Sequence, residues 1–289
     1  MSLKLIEVNH VYDQGTAMEM PALKNINITI EDGEFIGLIG HTGSGKSTLV
    51  QHLNGLMRPT SGQIFYNDED ISEKSFDKKK LRSKVGLVFQ YPEHQLFEVD
   101  ILSDVSFGPK NLGANKEEAK AKAIKALELV GMDESFYHKS PFDLSGGQKR
   151  RVAIAGVLAM EPTVLVLDEP TAGLDPAGRE EVLTLISELR QETGITIVLV
   201  SHSMDDVAEY ADRILVMNGG EVAFEGTPRD VFQHYLELED MGLAAPQVTY
   251  IMHAIKSKGY EVDTKIITIS DACNNILEQI QHKRGDTNA

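Results

Sequence analysis

The nine residues GHTGSGKST, Gly40 to Thr48, restrict the fold of this chain more than any other stretch. They fit G-x-x-x-x-G-K-[ST], a pattern whose chemistry needs a strand before it and a helix after it. An apolar run, FIGLIG, precedes it, and LVQHLNGL follows it with helical character. In such a loop the glycines let main-chain amides wrap phosphate groups. Lys46 neutralises the outer phosphates, the Ser47 hydroxyl binds magnesium, and the helix turns its positive end toward the anion. Gly40, Thr42, Gly43, Ser44, Gly45, Lys46, Ser47 and Thr48 are therefore the candidate nucleotide-binding residues.

Three more apolar runs stop abruptly at polar residues: VGLVF before Gln90, TVLVL before Asp168, and ITIVLV before Ser201 and His202. Continuous Val, Ile and Leu runs of this length read as strands covered on both faces, hence a parallel sheet flanked by helices. Ligands of such sheets collect at the carboxyl ends of the strands, so the four ends are expected to converge. Asp168 would hold magnesium and Glu169 would orient and deprotonate a water; alone, the pair could equally cap a helix. His202 reads either as a contact to a terminal phosphate or as a satisfied histidine at a strand terminus.

With 42% hydrophobic and 25% charged residues, the 289-residue chain has an ordinary globular composition. No stretch approaches the roughly 20 apolar residues that span a bilayer, and the first residues lack the apolar core of a signal peptide. The chain is thus expected in the cytoplasm unless a partner holds it at a membrane. A net charge of -16, from 44 acidic and 28 basic residues, disfavours nucleic acid as a partner. The basic run DKKKLRSK (Asp77 to Lys84) reads as a solvated connection. Cys273, the single cysteine, excludes an internal disulfide and reads as a small helical residue.

LSGGQKRR (Leu144 to Arg151) opens a helical pattern with Ser145 as N-cap, while Gly146 and Gly147 leave amides uncovered for an anion. With this segment the chain resembles the ATPase subunits of ABC transporters over about residues 3 to 230. The resemblance implies a P-loop NTPase core of ABC ATPase type, an α/β fold with an antiparallel β subdomain and a helical subdomain, plus a small C-terminal α/β extension. It implies ATP and Mg2+ as ligands, with Ser47, Gln90 and Asp168 on the metal. Lys46, Gln90, Glu169 and His202 would be the catalytic group, and Asp175 in AGLD would serve communication between subunits. It further implies a head-to-tail dimer in which Ser145, Gly146, Gly147 and Gln148 act on the partner's ATP. Tyr12 matches the aromatic that stacks on adenine, although a tyrosine at a strand end also packs against the fold.

LKLIEVNHVY, KNINITI and GQIFYN read as the small antiparallel sheet, NKEEAKAKAIKALELVG as a helix capped by Asn115 and stopped at Gly131, and RILVMNGGEVAFEG as a hairpin. The expected division is an ATP-binding domain over residues 1–240, its helical subdomain at about 91–160, and an extension over 241–289. In the extension Val248, Ile251, Met252 and Ile255 fall at helical spacing, as do Ile276, Leu277 and Ile280, with TKIITIS as a short strand between them. Such stripes are usually buried against their own domain; here a subunit contact is the preferred reading, because a core this complete has little uncovered surface left.

FQYPEHQLFE followed by DVSFGPKNLG resembles, more narrowly, the second ATPase of energy-coupling factor transporters, which take up vitamins and transition metal ions. That branch implies a related second ATPase, a membrane coupling subunit, a separate substrate-binding membrane protein, and a peripheral place on the cytoplasmic face of the cell membrane. The rival readings are another ABC importer, a soluble ABC ATPase acting on nucleic acid or ribosomes, and a nucleotide-binding scaffold with little hydrolysis. Glu93, Phe97 and Glu98 would form an acidic, partly apolar groove for a basic coupling helix, while Tyr91, Leu96 and Phe97 could instead pack a joint between subdomains.

Overall fold

The computed structural model describes residues 3–73 and 76–286. Among them ten strands follow in order: β1 (Leu3–Tyr12), β2 (Met20–Ile30), β3 (Phe35–Gly40), β4 (Ser61–Tyr66), β5 (Glu69–Asp70), β6 (Val85–Val88), β7 (Val164–Asp168), β8 (Thr196–Val200), β9 (Arg213–Asn218) and β10 (Glu221–Gly226). The larger sheet has the order β10-β9-β3-β8-β7-β6, and its four apolar runs are the mutually parallel strands β3, β8, β7 and β6. β9 adds on parallel to β3, and β10 folds back on β9 through Gly219 and Gly220, both at positive φ. That turn is the hairpin expected at Asn218 and Gly219.

Burial on both faces explains why the central runs are continuous. In β7, Val164 and Val166 face a cluster shared with the small sheet, while Leu165 and Leu167 face the helical side. β8 repeats the alternation with Val198 and Val200 against Ile197 and Leu199. Each such side chain contributes about 1.5–3 kcal/mol when fully buried. The small sheet, β2-β1-β4-β5, is antiparallel throughout. Its Leu3, Leu5, Ile26 and Ile28 close over the helix Lys46–Leu53, so the glycine loop emerges between two layers.

The helical layer begins at Ile101–Leu112, capped by Asp100 on the Ser103 amide. Lys116–Leu129 carries a reciprocal cap between Asn115 and Glu118 and ends before Gly131 at φ 70°. Its Ala119, Ala123 and Ala126 are buried, and such small side chains let neighbouring helices approach closely. Gly146–Leu158 joins this layer to the sheet through Val152, Ile154 and Ala155.

Two expectations change. DKKKLRSK is not merely a connection: Lys78–Lys84 is a helix capped by Asp77, pinned by a fully buried Leu81. In the extension the helices Gln247–Ser257 and Ile269–Asp286 form, but the strand expected in TKIITIS does not. Ile266 and Ile267 instead plug two different clusters, the first with Val248 and Met252, the second with Val207 and Phe232. Consecutive side chains anchored in separate cores hold the segment irregular. The apolar stripes are split as well: Val248 and Met252 are buried, whereas Ile251, Leu277 and Ile280 stay about half exposed.

Candidate active site

The glycine loop is shaped by contacts that only glycine permits. A Cβ on Gly45, at φ +108°, would lie 2.6 Å from the Ala22 carbonyl. The Ser44 amide donates to His41 O at 3.1 Å, closing the turn. Outside the loop, the β9–β10 turn braces it: Gly220 N donates to Ser44 O at 3.0 Å, and His41 Nε2 lies 3.2 Å from Asn218 Oδ1. Thr42, Gly43 and Ser47 are exposed, whereas Ser44 and Lys46 are buried. Lys46 Nζ donates to the carbonyls of Gly40 at 2.6 Å and His41 at 3.0 Å. Burial pushes its pKa below the usual lysine value, while the charges of Glu169 and Asp168 oppose that shift. Tyr12 OH stands 3.1 Å from Thr48 Oγ1 and donates to Met57 Sδ, so its ring is tied to the base of the loop.

Strand register brings the remaining polar ends level. Asp168 is the register partner of Val200, and the Glu169 amide donates to Val200 O at 3.0 Å. Glu169 has φ +51°, a left-handed conformation that directs its side chain out of the strand line. Gln90 Nε2 donates to Glu169 Oε2 at 2.9 Å, and His202 Nε2 lies 2.7 Å from Glu169 Oε1. Asp168 sits beside them with its pKa raised, chiefly by burial and then by Glu169, against the opposing charges of Lys46 and His202. Lys46, Gln90, Asp168, Glu169 and His202 thus form one constellation. Among the described residues no cluster of three His, Cys, Asp or Glu side chains is arranged to hold a metal by itself. The hydroxyl of Ser47, the amide of Gln90 and the carboxylate of Asp168 are oxygen donors of the kind magnesium shares with phosphate.

Ser145 and Gln148 form a reciprocal cap: Gln148 N donates to Ser145 Oγ at 3.3 Å and Ser145 N to Gln148 Oε1 at 3.0 Å. Nothing within 4 Å would meet a Cβ on Gly146 or Gly147. Among the described residues no hydrogen bond links this helix start to the chain's own glycine loop. Asp175 caps the helix Pro176–Thr193 on the Gly178 amide at 2.8 Å.

The segment after Gln90 departs from the sequence reading at one residue. Pro92–Gln95 forms a single tight turn, as a proline break there demands. Glu93, expected as an acid of the groove, is paired with the buried Arg150 at 2.9 Å, a carboxylate offsetting the charge of a guanidinium only 1% exposed. Phe97 is 61% exposed and meets Phe107 edge to face at 4.9 Å. The amides of Phe97 and Glu98 both donate to Asp104 Oδ2 at 2.8 Å. Alongside lies a groove of about 500 Å³ lined by Leu96, Phe107, Leu112 and Met160 together with Lys79, Arg82 and Asp104. Sequence reasoning missed Asp104, Phe107 and Arg150; for Arg150 the only signal was a cationic residue on the apolar side of a helix.

The ABC transporter family profile matches residues 23–172. The chain is 56% identical to the energy-coupling factor transporter ATP-binding protein EcfA2 of Clostridium perfringens, over 98% of this chain and 99% of that protein. It is 48% identical to the corresponding protein of Enterococcus faecalis, over 97% and 98%. Among solved structures, cbiO1 from Clostridium perfringens, described as part of the ABC transporter complex cbiONQ, superposes with a TM-score of 0.74 at 42% identity, over 88% of this chain and 98% of that one. The cassette MJ0796, solved as a dimer bound to ADP and Pi, gives a TM-score of 0.68 at 32% identity, over 78% and 98%. The chain belongs to the ABC transporter family as an ATP-binding and ATP-hydrolysing cassette of the energy-coupling factor branch.

Proposed function

We propose that this chain is one of two related ATPases that energise uptake of a vitamin or transition metal ion through an energy-coupling factor transporter. The convergence of Gln90, Glu169 and His202 beside Lys46 carries the hydrolytic part of this reading. In it, Lys46 and the amides from Gly40 to Thr48 bind the phosphates of ATP, and Tyr12 stacks on adenine. Ser47, Gln90 and Asp168 hold Mg2+, which when bound neutralises phosphate charge. Glu169 takes the proton of the attacking water, and His202 donates to the terminal phosphate.

Among the described residues the helix start at Ser145, Gly146, Gly147 and Gln148 makes no hydrogen bond to the chain's own loop, which supports its acting on ATP held by a partner ATPase. Asp175 would then carry contact between the two subunits. The half-exposed Ile251, Leu277 and Ile280 offer the extension, residues 241–289, an apolar face for that partner. Phe97, Glu98 and the groove beside Phe107 would receive a helix of the membrane coupling subunit, with Glu93 serving the fold behind them. Among the described residues no helix is long and apolar enough to cross a membrane. The chain would therefore sit peripherally on the cytoplasmic face, held by that subunit, with a separate membrane protein binding the substrate.

Purification of the tagged chain from native membranes, followed by mass spectrometry and a phosphate-release assay, tests the proposal. The expected result is a second ATPase, a coupling subunit and a small membrane protein co-purifying with ATP hydrolysis. Recovery with ribosomes or nucleic acid, or of a complex without hydrolysis, would reject it.

A further inference from the structure

Arg150 lies five residues beyond Ser145 in the helix Gly146–Leu158 and is only 1% exposed. A buried guanidinium is costly unless each of its five N–H groups meets an acceptor. Each of its nitrogens has an acceptor. Nε donates to Glu93 Oε2 at 3.2 Å, and Nη2 donates to Oε1 at 2.9 Å and Oε2 at 3.0 Å. Nη1 donates to the main-chain carbonyls of Pro170 at 2.8 Å and Ala172 at 3.0 Å.

These acceptors belong to the two segments whose placement matters most for hydrolysis. Glu93 is three residues past Gln90, beyond Tyr91 with φ +53°. Pro170 directly follows Glu169, and the Ala172 amide donates back to Glu169 O at 3.1 Å. The two segments also touch each other, since a Cβ on Gly173 would meet the Tyr91 ring at 3.4 Å. Residues 169–174 form a turn outside any strand or helix, so the carbonyls held by Arg150 are among its few fixed points.

We propose that Arg150 is a positioning residue for hydrolysis. From the helix that carries the Ser145–Gln148 motif, one guanidinium sets where Gln90 and Glu169 present their side chains, without touching nucleotide or water. Any shift of that helix, including one imposed when its N-terminus engages a partner's ATP, is carried to both. The inference rests on the reading of Glu169 as general base. A displacement of about 1 Å can cost roughly 100-fold in rate while leaving ground-state binding unchanged. The signature of positioning is therefore a split between kcat and KM.

The test is steady-state hydrolysis of MgATP by the complex purified from membranes, carrying Arg150→Lys or Glu93→Gln, with the partner ATPase disabled and Glu169→Gln as control. Lysine keeps the charge but cannot reach all four acceptor atoms. The expected result is a fall in kcat of about 10- to 100-fold for Arg150→Lys, with KM for ATP within about twofold. Glu93→Gln should fall about threefold, because Arg150 keeps both carbonyls. If Arg150→Lys does not assemble, the same split in Glu93→Gln decides. Turnover within experimental error of wild type, or kcat and ATP affinity falling together with the folded fraction, overturns the positioning role. Turnover indifferent to Glu169→Gln overturns the base assignment, and this inference with it.

Discussion

Two charged clusters meet on either side of Glu169, and they differ in what remains unused. On one side the Glu169 carboxylate, 21% exposed, is touched by Gln90 and by a His202 that is 48% exposed. Each contact is single, and both partners stand at open strand ends. On the other side Arg150 is 1% exposed, Glu93 is 17% exposed, and each nitrogen of the guanidinium has an acceptor. A carboxylate held by single contacts, one of them to a half-exposed imidazole, can exchange a partner for a water or a phosphate at low cost. A closed one can only hold or break. The contrast supports the proposed division, with chemistry in the first cluster and geometry in the second.

Changes at the open cluster should alter turnover and spare the fold. If His202 donates to the terminal phosphate as proposed, His202→Ala should lower turnover of the complex about 100-fold while ATP affinity, read by equilibrium binding, stays within about threefold. Equal losses in both would move His202 from the reaction to simple binding.

Asp168 gives a smaller effect of opposite sign on stability. Its pKa is raised in the folded chain, so the carboxyl's contribution to stability is full below its unfolded value and is lost as pH rises through the raised folded value. Ionisation of the partly buried Asp168 therefore costs the nucleotide-free chain stability as pH rises. Asp168→Asn should raise the melting temperature of that state, the gain shrinking as pH falls into the carboxylate range, and should abolish the added stabilisation that Mg2+ gives to bound ATP. A variant less stable than wild type at neutral pH would show that Asp168 supports the fold.

The smallest effect is expected one residue past the closed cluster. Arg151 pairs with Glu181, which is 61% exposed, and exposed pairs of this kind contribute at most about 1 kcal/mol. Arg151→Ala should shift chemical denaturation by less than that and leave kcat unchanged. A loss comparable to that of Arg150→Lys would mean that burial is not what distinguishes the two arginines.

The sheet and the open cluster were legible because their signals are local. β3, β6, β7 and β8 are apolar runs; β3 leads into the glycine loop, and the other three stop at or just before Gln90, Asp168 and Ser201. Caps at Asn115 and Ser145 were equally visible, since capping chemistry spans only three or four residues. The closed cluster was not legible. Glu93 and Arg150 are 57 residues apart, and an acid after a proline turn reads as exposed until its cation is found. The bracing of the glycine loop by Gly220 was hidden for the same reason, as were the separate destinations of Ile266 and Ile267. A β-prone run such as TKIITIS becomes a strand only where a neighbouring edge offers hydrogen bonds.

The account stands or falls on Glu169 as the group that accepts the water's proton. The direct measurement is the fate of radiolabelled ATP bound at this chain's own site, in a complex purified from membranes with Glu169→Gln in this chain and the second ATPase disabled. The amide keeps the shape and the contacts to Gln90 and His202 but cannot take the proton, so ATP should be recovered intact, with hydrolysis slowed by about two to four powers of ten. Recovery of ADP at the wild-type rate would contradict the assignment.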